Sequence, residues 1–290
     1  MQIYPIQTTN YYQQRNNAPS FGETAARSVT KAAQELFTHY TVFNRGDFKI
    51  SDLVIYTEAL LRQNNGKVNF VFCGCSDGTE ALDVTMGFLN KLRKDKLMPS
   101  SIKAFDKEDK VINVAKTGRI NVCDKSIEYI RDSYPRNGFV VSEHELVNIP
   151  GENLQAFKEK TGQELKHSYQ FSKELLDQIH FYQADMLTEL AKISPDDYTI
   201  LFCRNLARYN TDSDQREMAR LMDKNLRPYS LVIVGDCDAH NTLRANNTKI
   251  PILNDNEYLN LKPVLMVEEM IKRGFIPVYD FSRSGTVFVK

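Results

Sequence analysis

At 290 residues the chain has room for one large α/β domain and a smaller appendage. Its 37 basic and 37 acidic residues cancel, which excludes a global field drawing it to nucleic acid or an anionic membrane. Five cysteines without a CxxC pair point to buried thiols in a reducing cytoplasm, not to disulfides or a metal site. No apolar run approaches membrane-spanning length and no charged-then-apolar leader is read at the start, so a cytoplasmic protein without membrane insertion is expected.

In chain order, the first twenty residues are rich in Asn, Gln and Tyr, carry no periodicity and read as a polar arm. From Ser20 to Tyr40 an apolar stripe (Ala25, Ala26, Val29, Ala32, Ala33, Leu36, Phe37) predicts a helix, with Ser20 and Glu23 at the capping-box offset. Residues 1–40 are therefore expected to form an arm and helix, and 41–290 the main domain. A second helix, SDLVIYTEALLRQNN, is expected with Ser51 as its cap and Gly66 at its end.

The stretch from Val68 to Lys94 organises the rest of the chain. Val68–Phe72 reads as a strand, Gly74, Ser76 and Gly78 as a turn, and Ala81, Leu82, Thr85, Phe88, Leu89 and Leu92 recur at helical spacing. Strand, glycine turn and helix in that order make the ligand-facing half of a βαβ unit. SIKAFDKED then predicts a strand ending in Asp106, and a helix through Val111, Val114 and Ala115 stops at Gly118, which implies a parallel crossover.

From about 120 to 172 the pattern is mixed, with short helices and a polar helix near Leu154–Leu165, and is read as an insertion or cap. Strand patterns resume at Ile179–Met186, Asp197–Asn205 and Tyr229–Asp238, the last two separated by a helix at Thr211–Asn225. A helix at Pro263–Arg273 and a hairpin around Ser-Arg-Ser-Gly close the chain. Five βα-type strands followed by an antiparallel pair match a Rossmann-like class I methyltransferase sheet better than a six-stranded dinucleotide dehydrogenase.

Two chemistries fit the glycine turn. Gly74-x-Ser76-x-Gly78 lets backbone amides approach a ligand at a helix N-terminus. Asp106, 28 residues beyond Gly78, stands where an acid would accept hydrogen bonds from ribose hydroxyls. The same letters spell G-x-S-x-G, a nucleophile elbow with Ser76 as nucleophile and Asp236 or Asp238 with His240 as partners. A hydrolase elbow follows several strands, whereas residues 1–67 offer two helices and no strand.

Several stretches together resemble the CheR-type chemotaxis receptor methyltransferases, which methylate protein glutamates with S-adenosylmethionine. GCSDGTEAL is similar to that family's A-C-S-T-G-E-E-P-Y segment, and AFDKEDKVINVAKTG to D-I-D-x-x-x-L-x-x-A-x-x-G. SYQFSKELLDQIHFYQADML resembles the stretch ending in V-x-F-x-x-x-N-L, and TVFNRGDF resembles T-x-F-F-R-x-x-x-x-F. DYTILFCRNLARYN is the closest match, to F-D-x-I-F-C-R-N-V-x-I-Y-F. The similarity spans roughly Tyr40 to Asp238.

The resemblance implies S-adenosyl-L-methionine as cofactor, held by Gly74, Ser76, Gly78, Glu80 and Asp106, with Glu80 and Asp106 at its amino-acid and ribose portions. It places Asp185 and Met186 beside the adenine, and Arg204 and Asn205 along the pocket. Arg45 and Tyr209 match the residues nearest the transferred methyl, and the implied partner is a protein bearing a glutamate side chain. Four departures mark a divergent member: Asn44 and Thr79 replace a Phe and a Glu, and Arg208 and Asn210 flank Tyr209 where apolar residues are usual. These last two predict a more polar rim. The N-terminal module is short and the middle region, around Ser142–Gly162, is enlarged, so the acceptor is expected to differ from a standard chemoreceptor. A non-catalytic S-adenosylmethionine-binding regulatory module is the alternative.

Overall fold

The central strands are apolar on both faces, as parallel strands covered by helices on both sides must be. Strand β1 (Val68–Cys73) lies inside a seven-stranded sheet, third from one edge, flanked by β2 (Ser101–Asp106) and β7 (Tyr198–Cys203). The computed structural model describes residues 50–63, 67–92, 98–123, 140–144, 158, 164–204, 206–235, 238–239, 264–278 and 286–290. The order is β6–β2–β1–β7–β8–β10–β9, with β6 at His180–Gln183, β8 at Leu231–Val234, β9 at Ile276–Pro277 and β10 at Val287–Val289. The first five in that order are parallel, whereas β10 runs antiparallel to both β8 and β9. The expected α/β sheet with its C-terminal antiparallel hairpin is thus present.

Side-chain alternation along the strands builds two cores. Val68, Phe70 and Phe72 of β1, Ile200 and Phe202 of β7, and Leu231 and Ile233 of β8 face one side. There they pack on α1 (Ile50–Gln63), α2 (Thr79–Leu92) and α3 (Asp109–Thr117). Phe72 stacks on Phe202 with centroids 4.1 Å apart, and Phe70 meets Phe88 of α2 edge-on at 4.7 Å. Val71, Cys73, Leu201, Cys203, Val232 and Val234 face the other side. That side is covered by α5 (Met186–Ala191), α6 (Asp212–Asn225) and α7 (Leu265–Lys272); the four-residue α4 (Lys173–Leu176) contributes Leu175 to the first core.

Register decides where a site can form. Cys73 pairs with Phe105, Asp106 with Gln183, Phe72 with Phe202, and Cys203 with Val234. The turns leaving β1, β2, β6, β7 and β8 therefore share one edge of the sheet. Chain order reverses direction between β1 and β7, the switch point at which open α/β sheets bind ligands.

Three local expectations change. Ser51 lies inside α1, not before it, and its hydroxyl donates to Asp52; α1 is anchored instead by Tyr56, whose hydroxyl donates to the Tyr229 carbonyl at 2.8 Å. Within the expected insertion, the described residues form an antiparallel sheet, β3 (Arg119–Cys123), β5 (Leu165–Phe171) and β4 (Val140–His144). Leu165, expected at the end of a polar helix, opens β5 and is buried. The helix expected over residues 20–40 lies outside the described residues. Among the described residues no helix is long and apolar enough to cross a membrane.

Candidate active site

The turn after β1 is shaped by three residues with left-handed backbone: Gly74 (φ 62°), Ser76 (φ 53°) and Gly78 (φ 84°). Gly78 has a second reason to lack a side chain. A methyl group there would lie 2.9 Å from both the Ala115 Cβ and the Phe181 ring, so the turn can approach α3 and β6 only as glycine. At Gly74 a methyl would come within 2.8 Å of Leu206, which packs over the turn from the segment leaving β7.

The amides of this turn are largely committed within the protein. Cys75 N donates to the Phe105 carbonyl at 2.9 Å, and Gly78 N to the Cys75 carbonyl at 3.0 Å. Ser76 N donates to Asp106 Oδ2 at 3.1 Å, and Thr79 N to Asp77 Oδ1 at 3.1 Å. A phosphate cradle needs such amides pointing at the ligand. This turn instead braces itself, which suits a cofactor without phosphate.

Carboxylates gather around it. Asp106, at the end of β2, takes Ser76 N on one oxygen and Glu108 N on the other at 3.1 Å. Each oxygen retains a second lone-pair direction, so the group can still accept a hydroxyl. Glu80, in the first turn of α2, accepts from Arg204 Nη1 at 2.7 Å, with side chains 14% and 5% exposed. Cys75 lies beneath; burial pushes its thiol well up, with Asp106 and Asp77 adding to the shift.

The structure therefore brings together Gly74, Ser76, Gly78, Glu80, Asp106 and Arg204. Asp185 follows β6 on the same edge, where Ala184 N donates to the Asp106 carbonyl at 3.0 Å. Its carboxylate caps α5, accepting Thr188 N at 2.9 Å, and the neighbouring Met186 is half-buried against the second core. Tyr209 ends a 3-10 turn, Ala207–Tyr209, and is 59% exposed. Arg45 and Asn205 lie outside the described residues, as do Asp236 and His240.

Two features were missed in the sequence. Asp77 closes an Asx turn at the helix start, a signal present in the Asp-Gly-Thr spelling. Arg208 does not line a polar rim: its Nε donates to Asp238 Oδ1 at 3.0 Å, and the Asp238 side chain is wholly buried. Ala207 N reaches the other Asp238 oxygen at 3.0 Å, so both oxygens of this carboxylate are engaged by the Ala207–Tyr209 turn. Burial pushes the Asp238 carboxyl up, and the Arg208 guanidinium pulls against that.

The donor set fits S-adenosylmethionine, which offers an ammonium, a carboxylate and ribose hydroxyls but no phosphate. Glu80 and Asp106 supply acceptors, Arg204 supplies a cation, and the turn lies at the switch point.

Comparison with known proteins returned one family, described as "CheR methyltransferase, SAM binding domain", matched over residues 134–256. A search of curated proteins gave no match. Among solved structures, a Corynebacterium glutamicum protein is 13% identical, covering 92% of this chain and 93% of its own, at a TM-score of 0.37. A candidate S-adenosyl-L-methionine-dependent methyltransferase from Methanococcus maripaludis is 12% identical over 96% and 97%, at 0.37. A candidate O-methyltransferase from Klebsiella pneumoniae is 12% identical over 86% and 80%, at 0.31. At these scores the structural likenesses carry no argument, and the sheet order stands on its own hydrogen bonds. Residues 134–256 are thus similar to the S-adenosylmethionine-binding domain of the CheR methyltransferases, which supports S-adenosylmethionine as the cofactor.

Proposed function

We propose that this protein transfers a methyl group from S-adenosylmethionine to a glutamate carboxylate of another protein. The observation that carries the reading is the self-braced turn at Gly74–Gly78 with Asp106 and Glu80 beside it, on the edge where β1 and β7 part. When bound there, the cofactor supplies an activated methyl on a sulfonium.

The chain's own residues have a limited task. A glutamate acceptor is already ionised at neutral pH, since its ordinary pKa is about 4.3, so no strong general base is required. Positioning and electrostatics supply the rest. Glu80 would hold the cofactor's ammonium, with Arg204 fixing the Glu80 rotamer through their 2.7 Å hydrogen bond. Asp106 would accept the ribose hydroxyls, and Asp185 and Met186 would border the adenine. Arg45 would orient the acceptor carboxylate through a forked pair of hydrogen bonds, and Tyr209 would pack beside the reacting groups.

Calorimetry with S-adenosylhomocysteine tests the cofactor assignment, and saturable one-to-one binding is expected. Labelled methyl transfer to bacterial protein extract, released by mild base as an ester requires, tests the acceptor class. Binding without transfer would make the chain a regulatory module, and full transfer by Arg45→Ala would remove Arg45 from the mechanism.

A further inference from the structure

The segment leaving β7 is held at three points. Arg204 reaches Glu80 on α2, and Leu206 packs over Gly74. The third point lies on the other side: Asp238, beyond β8, accepts from Ala207 N and from Arg208 Nε, each at 3.0 Å. One wholly buried carboxylate thus fixes the backbone of the 3-10 turn and the side chain in its middle. Tyr209 is the next residue. The turn closes on itself below it, with Tyr209 N donating to the Leu206 carbonyl at 3.2 Å and Asn210 Nδ2 to the same oxygen at 2.9 Å. Its exposed ring is therefore carried on backbone that is tied to both neighbouring strands' turns.

We propose that Arg208 and Asp238 form a positioning pair which pins the Ala207–Tyr209 turn and so presents Tyr209 to the acceptor side of the site. The pair touches neither cofactor nor acceptor and acts through the turn. This rests on the methyltransferase reading above. It also accounts for an arginine where the family resemblance leads one to expect an apolar residue: the charge is directed inward, to a carboxylate contributed by the turn after the next strand. A bidentate hold of this kind restrains rotation as well as distance, which a single apolar contact does not. Removing only one partner strands a buried charge, so the two residues form a unit.

The test uses the full chain and three variants: Asp238→Asn, Arg208→Lys, and the double variant Arg208→Ile/Asp238→Asn, which leaves no lone buried charge. S-adenosylhomocysteine affinity, labelled methyl transfer to bacterial protein extract, and amide hydrogen exchange are measured on each, after thermal unfolding shows that it folds. The expected result is transfer reduced about tenfold or more with S-adenosylhomocysteine affinity within about threefold, the split a positioning role produces. Exchange at Ala207–Asn210 should quicken about tenfold while Phe70–Phe72 stays protected. Unchanged transfer and exchange in the folded double variant would overturn the proposal. An equal loss of S-adenosylhomocysteine affinity would overturn it too, by assigning the pair to the cofactor pocket. Absence of binding by the unaltered chain overturns the methyltransferase reading itself, a result distinct from any change in exchange.

Discussion

Arg204 and Glu80 are 124 positions apart, and the guanidinium donates to the carboxylate at 2.7 Å with both side chains largely out of solvent. The pair joins the end of β7 to the start of α2, across the gap where the sheet reverses its winding. A guanidinium 5% exposed requires a partner, and a carboxylate so engaged is locked in one rotamer.

Glu80→Gln should weaken S-adenosylhomocysteine binding by about tenfold or more, the value of a hydrogen bond to a charged group. It should also lower stability by about 1.5–3 kcal/mol, because Arg204 loses its anion. Glu80→Gln/Arg204→Met should regain much of that stability and none of the affinity, since it removes the stranded charge without restoring the acceptor. Calorimetry and chemical denaturation read the two effects separately. Unaltered affinity in Glu80→Gln would take the residue out of the cofactor site.

Gly78 and Gly274 both have positive φ, 84° and 91°, yet only Gly78 is crowded. Gly274→Ala should cost about 1–2 kcal/mol, the left-handed penalty alone, because a methyl there meets nothing. Gly78→Ala should cost more, about 2–4 kcal/mol, since overpacking against Ala115 and Phe181 adds to the same penalty. Denaturant midpoints compare them directly. Equal losses would mean that the turn relaxes freely away from α3 and β6.

Cys73 and Cys75 give the chain an alkaline dependence. Burial pushes both thiols well up; the Cys203 hydrogen bond adds to the first, and Asp106 and Asp77 to the second. Groups with a raised folded pKa contribute stability that is complete below the unfolded value and lost as pH climbs toward the folded one. Unfolded thiols ionise near pH 8.5, so above it each should cost stability at about 1.4 kcal/mol per pH unit. Denaturation under reducing conditions from pH 7.5 to 9.5 should show the decline, and Cys73→Ala/Cys75→Ala should flatten it. A decline of the same slope in that variant would assign the effect elsewhere.

Phe202→Ala should cost about 3–5 kcal/mol, as deletion of a buried ring does. Phe202 is 1% exposed and stacks on Phe72, so the loss strikes the β1–β7 seam directly beneath the proposed site. Ile276→Ala on the edge strand, 63% exposed, should stay within about 0.5 kcal/mol. Thermal unfolding of the pair gives the contrast, and a small loss for Phe202→Ala would mean that the seam can collapse around the gap.

Much of the fold is legible locally. The helix ending at Gly118 stops there because that residue takes φ 63° and its amide closes on Ala115. Thr211 caps α6 at the expected place, accepting the Asp214 amide. Where patterns were weaker, local reading failed: Ser51 suits a cap by type, yet α1 begins before it, and Leu165, expected to end a polar helix, has a strand partner in Cys123. Strand pairing is non-local, so periodicity cannot report it.

The sequence by itself determined the glycine turn, the acid ending β2, the arginine after β7 and the succession of strands along the chain, because each depends on residues within one element and its turn. Only the tertiary structure decided what those residues do to one another. It directed the turn's amides inward to Phe105, Asp106 and Asp77, paired Arg204 with Glu80, and turned Arg208 from an expected rim residue into the partner of Asp238. The physical reason is common to all of these. A charged or polar group leaving water must find a partner, and which partner is near depends on strand order and register rather than on distance along the chain.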